Sequence, residues 1–127
     1  MKPTVAIVLA LAMAANALAM LAAPTWWYAA VPGVIATGPF NLHFVRDIGM
    51  AYVVVAGGLA WFAWRPARAW SALVAAAAFL TLHGLVHVAG ALASPICGQM
   101  LLRDLPGVFA PALIALWLAL NPKPRDA

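Results

Sequence analysis

Four long apolar runs divide this chain, separated by short stretches rich in proline, glycine and charge. The first covers residues 4–23, which is 20 residues. That is enough to cross a hydrocarbon core of ~30 Å at ~1.5 Å per residue. Lys2 precedes the run and Pro24 ends it. Trp26, Trp27 and Tyr28 follow, residue types that gather at a membrane–water boundary. Pro32, Gly33, Gly38 and Pro39 break regular structure across residues 29–42. The second run covers residues 43–64. Its Gly49, Gly57 and Gly58 would let neighbouring helices approach closely. Arg65-Pro66-Ala67-Arg68 is a basic turn that leaves room only for an antiparallel hairpin. The third run covers residues 69–93 and stops at Ser94-Pro95. Residues 94–104 read as a loop, and a fourth run covers residues 105–120. There Asp104 is a candidate N-cap and Pro106 falls in the first turn, where proline is tolerated. Pro111 lies deeper and should kink the helix or shift its start.

The pattern predicts an all-α integral membrane protein, folded as an antiparallel four-helix bundle in a single domain over residues 1–127. The N-terminal run also has the features of a signal peptide: a basic start, an apolar middle, and Ala15-Asn16-Ala17 or Ala17-Leu18-Ala19 as small-residue cleavage sites. We read it as an uncleaved first span, with the cleaved form as the alternative. After Leu120 the residues Asn121-Pro122-Lys123-Pro124-Arg125-Asp126-Ala127 form a polar tail.

Composition sharpens the class. The chain is 67% hydrophobic and 8% charged, too little charge to cover a soluble surface. The net charge of +4 reads as orientation and lipid contact rather than nucleic-acid binding, since no basic patch is interleaved with aromatic residues. Lys2, Arg65, Arg68, Lys123 and Arg125 fall on one side of a four-span layout, Arg46 and Arg103 on the other. The positive-inside rule then puts both termini in the cytoplasm of a bacterial inner membrane, with the longer loops facing outward. The single cysteine, Cys97, excludes an internal disulfide and a cysteine-only metal cage.

The rare polar residues collect in the outer half. His43 lies at the outer mouth of the second span, and Arg46 and Asp47 about one turn in. His87 lies roughly 9 Å below the outer end of the third span, and His83 about 15 Å below it. Cys97, Arg103 and Asp104 belong to the second outer loop. His43 and Asp47 share one helix face, as do His83 and His87, because residues four apart are neighbours on a helix. Ionisable groups in a span normally turn inward toward partners. This predicts a cluster of His43, Arg46, Asp47, His83 and His87, with an Asp47–His87 hydrogen bond. Arg46 would then be left for Asp104, a loop carbonyl or an anionic ligand.

Three uses of such a cluster are open. His43, His83 and His87 could ligate a metal or haem, with Cys97, Met100 or Met50 as soft ligands. A quinone or similar small ligand could lie between the second and third spans, its protons handled by histidine and aspartate. The cluster could also serve only to lock helices together. Met50 and Tyr52 read as packing residues. No nucleophile motif, phosphate loop or paired-carboxylate site is present, so the chain is not read as an enzyme in its own right. Nor does a continuous polar stripe cross the membrane as a channel would need.

The run Trp27-Tyr28-Ala29-Ala30-Val31-Pro32-Gly33, then Thr37-Gly38-Pro39-Phe40-Asn41-Leu42-His43-Phe44-Val45-Arg46-Asp47-Ile48-Gly49, resembles a group of uncharacterised small bacterial four-span integral membrane proteins. They carry a P-F-N-x-H-F-V-R-D-I-G stretch after the first span. In size and layout the chain is more loosely similar to DoxX-like membrane proteins. That likeness implies the fold and a link to quinone-coupled redox systems. Together these point to a small inner-membrane accessory protein or subunit, with the redox link as what the resemblance implies. It would sit in the lipid bilayer with a membrane-protein partner or a second copy. The alternative is a haem- or metal-binding electron-transfer protein.

Overall fold

The computed structural model describes residues 1–121 and is helical throughout its regular parts. Helix α1 covers Lys2–Ala22, α2 Pro24–Ala30, α3 Leu42–Trp64, α4 Trp70–Leu92, α5 Cys97–Asp104 and α6 Ala110–Leu120. A 3-10 turn at Val34–Thr37 lies in the first connection, and a π-helical turn at Leu105–Phe109 joins α5 to α6. Four stretches are long and apolar enough to cross a membrane: Lys2–Ala22, Leu42–Trp64, Trp70–Leu92 and Cys97–Leu120.

The long helices pack pairwise: α1 on α3, α3 on α4, and α4 on α6, with α6 also touching α1. Neighbours run in opposite directions. Gly49, near the start of α3, faces Met20 and Leu21 at the end of α1. Gly58, in the second half of α3, faces Ala72 at the start of α4. Trp70 Nε1, at the start of α4, donates to Ala119 O at 3.4 Å near the end of α6. Lys2 Nζ donates to Asn121 O. Lys2 and the Arg65–Arg68 turn therefore share one end, and Arg46 and Arg103 the other. Lys123 and Arg125 lie outside the described residues.

The core is built from small side chains at helical spacing. Ala6, Leu9, Ala10, Met13, Ala17 and Met20 of α1 are buried, as are Leu73, Ala76, Ala77 and Leu80 of α4 and Ala112, Ala115, Leu118 and Ala119 of α6. Steps of three and four residues keep these on one face. Alanine at the contacts lets backbones come close, which favours dense dispersion contacts.

The first connection is more ordered than its prolines and glycines suggest. Pro24 does not only end α1. It opens α2 at the first helical position, where a missing N–H costs nothing. Trp27 Nε1 of α2 donates to Asn16 Oδ1 of α1 at 2.9 Å, folding the aromatic segment back onto the first long helix. Tyr28 then reaches Gly38 O through its hydroxyl and meets the Phe40 ring edge-on, with centroids 5.3 Å apart. Asn41 Oδ1 accepts from Phe44 N at 3.0 Å, a side-chain cap that starts α3.

The fourth run departs from expectation. Residues 97–104 are helical rather than loop, and they continue through the π turn into α6. Asp104 makes no capping bond. The wide turn lies just before Pro111, whose ring would clash with the carbonyl four residues back in a regular helix. The predicted disturbance at Pro111 is thus present, as a bulge within a longer helix.

The glycines of α3 also divide. A Cβ at Gly49 would lie 3.0 Å from Met20 Cβ, and one at Gly58 3.1 Å from the Ala72 carbonyl oxygen, whereas one at Gly57 would meet nothing within 4 Å. Gly58→Val should therefore lower stability by about 1–3 kcal/mol through overpacking against backbone. Gly57→Val meets no atom of its own chain and should cost less than Gly58→Val. Thermal unfolding of both variants in the same detergent checks the pair, and equal melting temperatures would contradict the packing described.

Candidate functional site

The polar residues form two separate groups at the same end of the molecule. The first is on α3. His43 Nε2 lies 3.2 Å from Asp47 Oδ2, the i, i+4 pair expected from spacing. Both side chains point outward, 89% and 59% exposed. Arg46 is also exposed. Among the described residues no hydrogen bond or ion pair joins His43, Arg46 or Asp47 to His83 or His87. The predicted Asp47–His87 bond is therefore not formed. Asp47 points outward on α3, while the inward face carries Val45, Gly49 and Tyr52.

The second group is the one that is partly buried. Asp104 is the buried charged side chain among the described residues, with 6% of its surface exposed. Arg103 grips it side-on, Nε to Oδ1 at 2.7 Å and the terminal nitrogen to Oδ2 at 3.3 Å. His87 Nδ1 lies 2.7 Å from the same Oδ2. So the partner of Asp104 is its chain neighbour, not Arg46. Adjacent helical residues point about 100° apart, a consequence of ~3.6 residues per turn. The long arginine side chain folds back to close that gap. The carboxylate holds the His87 ring by Nδ1 and leaves Nε2 directed away from Asp104.

His83 continues this row inward by one helical turn. Its ring lies edge-on to His87 with centroids 4.8 Å apart, stacks parallel to Phe79 at 6.1 Å, and meets the edge of Tyr52 at 6.1 Å. Tyr52, expected only to pack, is thus one wall of the histidine site, with Phe79 against it at 5.6 Å. Among the described residues neither ring nitrogen of His83 has a hydrogen-bond partner. Thr81 Oγ1, two residues before His83, is the one buried side-chain polar atom without a partner among the described residues.

The far end of the row reaches the first connection. Gly33 has φ +87°, a left-handed backbone that side chains rarely adopt, and a Cβ there would overlap the Arg103 guanidinium. The cation is therefore seated on bare backbone. Cys97 is a free thiol at the start of α5, half-buried, and takes no part in the row.

Below His83, an apolar groove of about 580 Å³ runs between α3 and α4. Its walls are Val54, Gly57, Gly58 and Trp61 on one side and Ala72, Ala75, Ala76 and Phe79 on the other. Phe79 is shared: it lines the groove and stacks on His83.

For metal chemistry the geometry is sparse. Among the described residues no three His, Cys, Asp or Glu side chains come together in a way that could hold a metal ion. His83 and His87 are neighbours, while His43 belongs to the exposed pair with Asp47, so the three histidines do not converge on one centre. Sequence reasoning assigned Arg103 and Asp104 to a covering loop, and it passed over Asn16 because it lies in an otherwise apolar run. The chain matches no known family model, and no curated protein or solved structure is similar to it.

The two carboxylates should respond differently to neutralisation. Asp104→Asn leaves Arg103 without its anion and should cost about 1–3 kcal/mol, the usual penalty for an orphaned, partly buried polar group. Asp47→Asn removes an exposed pair and should cost less than about 1 kcal/mol. Thermal melting in detergent distinguishes them, and equal losses would contradict the separation into two groups.

Proposed function

We propose that this protein is a small multi-pass membrane protein, an antiparallel four-helix bundle of a bacterial inner membrane, that binds a quinone-like ligand at His83. The membrane reading is supported by outward faces as apolar as the inward ones: Leu11, Leu82, Val86 and Leu113 are all exposed. A helix apolar all round belongs in lipid or in a large core, and this chain is too small for the second. With Lys2, Arg65 and Arg68 at one end, the positive-inside rule puts that end in the cytoplasm. The histidine row then opens toward the periplasmic side.

The observation that carries the ligand reading is His83. It is a half-buried imidazole with two aromatic walls and unbonded nitrogens, at the head of an apolar groove. A flat, polar ring on an apolar chain suits the pair of features, with the ring at the accessible edge of His83 and the chain in the groove between α3 and α4. His83 would bind the ring oxygen, and His87, oriented by Asp104, stands next in line to take or supply a proton. In this reading the protein acts as an accessory or subunit that holds the ligand for a redox partner. A haem- or metal-binding electron carrier is the competing reading, since the same unbonded nitrogens could ligate.

The experiment is solvent extraction of gently solubilised protein, with chromatography of the extract, beside a visible spectrum and metal analysis. The wild type should yield a quinone that is strongly depleted in His83→Ala. A Soret band, or stoichiometric metal, lost in His83→Ala would replace this reading with the electron-carrier one. A colourless protein that carries neither quinone nor metal would overturn both.

A further inference from the structure

We propose that a second copy of this chain docks along the outward face of α3, forming a parallel homodimer. His43, Asp47, Met50, Val54, Gly57 and Trp61 follow one another at steps of four, three, four, three and four residues. That alternation is the seam of a left-handed helix pair, in which each side chain fits a hole made by four residues of the facing helix. All six residues are exposed, Met50 by 56% and Val54 by 75%. Apolar exposure alone would suit lipid. The charges do not.

Asp47 lies five residues past the first residue of α3, roughly 7.5 Å along the axis. Arginine can stretch to the headgroups from that depth, but the short aspartate side chain cannot. Its partner within the chain is His43, which is itself almost fully exposed. A second copy supplies what is missing. Copies inserted the same way round are related by an axis along the membrane normal, so equal positions meet at equal depth. In a parallel pair, the hole facing Asp47 is made by residues 43, 46, 47 and 50 of the other copy. That brings the second copy's arginine at position 46 against Asp47, and the symmetric contact forms at the same time. The face is therefore complementary to itself in charge. Further in, Gly57 has open space around its Cα, so the facing helix can come close there. Val54, Gly57 and Trp61 also border the groove between α3 and α4, so the same contact would cover its open side. This inference rests on the membrane-spanning reading but not on the identity of any ligand.

The test is cysteine crosslinking in native membranes, in a Cys97→Ser background that leaves no other thiol. Recovery of the chain in the membrane fraction is measured first, and its absence there would overturn the membrane reading and this interface together. Met50→Cys and Val54→Cys should give a crosslinked dimer. Leu11→Cys on α1 and Leu85→Cys on α4, also exposed, should not. Arg46→Asp in the Val54→Cys protein should remove most of the dimer band, and Arg46→Asp with Asp47→Arg should restore it. A membrane-resident chain that gives no dimer from the α3 positions, or equal dimer from all four, overturns the proposal. So does a dimer band indifferent to Arg46→Asp, or crosslinks from the α3 positions only to a different protein.

Discussion

The end of the molecule that carries the histidines depends on one carboxylate. Asp104 is withdrawn from solvent in a chain with almost no charge to spare, and an isolated anion in that position would be strongly unfavourable. Two cationic or donor groups answer it. Arg103 comes from the same helix and His87 from α4, so a single buried group fixes the angle at which α5 returns against α4. The rest follows from that angle. α5 continues into the wide turn at Leu105–Phe109, and the turn delivers Pro111 into α6 at a position where its missing N–H is harmless. His83, one turn below His87, is left against the rings of His87, Tyr52 and Phe79.

The sequence made the long elements legible because an apolar run of that length has few alternatives to a long helix. The first three long helices and the tight basic turn appear where hydropathy put them. The segment between α4 and α6 was not legible for the opposite reason. Residues 97–104 mix Gln99, Arg103 and Asp104 with Leu101 and Leu102, and such mixed stretches read as loop until their tertiary partners are known. Asp104 fits the sequence rule for an N-cap, yet its oxygens are committed to Arg103 and His87, an interaction between elements that no local rule contains. Spacing put His43 and Asp47 on one helix face, where they lie 3.2 Å apart. It could not say which way that pair faced, because a four-residue step specifies a shared side of a helix and not what lies opposite.

The stretch from Gly38 to Gly49 shows how one segment can serve two ends. Phe40 packs on Tyr28, Asn41 caps the helix, and Gly49 admits the flank of α1. These residues explain why the chain turns and where α3 begins. His43, Arg46 and Asp47 have no such duty within the chain, since none touches the core. Interleaving the two kinds at helical spacing lets a single helix start define both the interior and an outward polar edge.

Gly33 couples parts that hydropathy alone would treat as independent. The guanidinium of Arg103 rests directly on its backbone while holding Asp104, and Asp104 holds His87. The short 3-10 turn, α5 and α4 are thereby coupled like a latch with its keeper. Anything that draws the arginine off the carboxylate also unseats the first connection from below. A change at Asp104 would thus be felt as a loosening of backbone at Gly33, about seventy residues earlier in the chain.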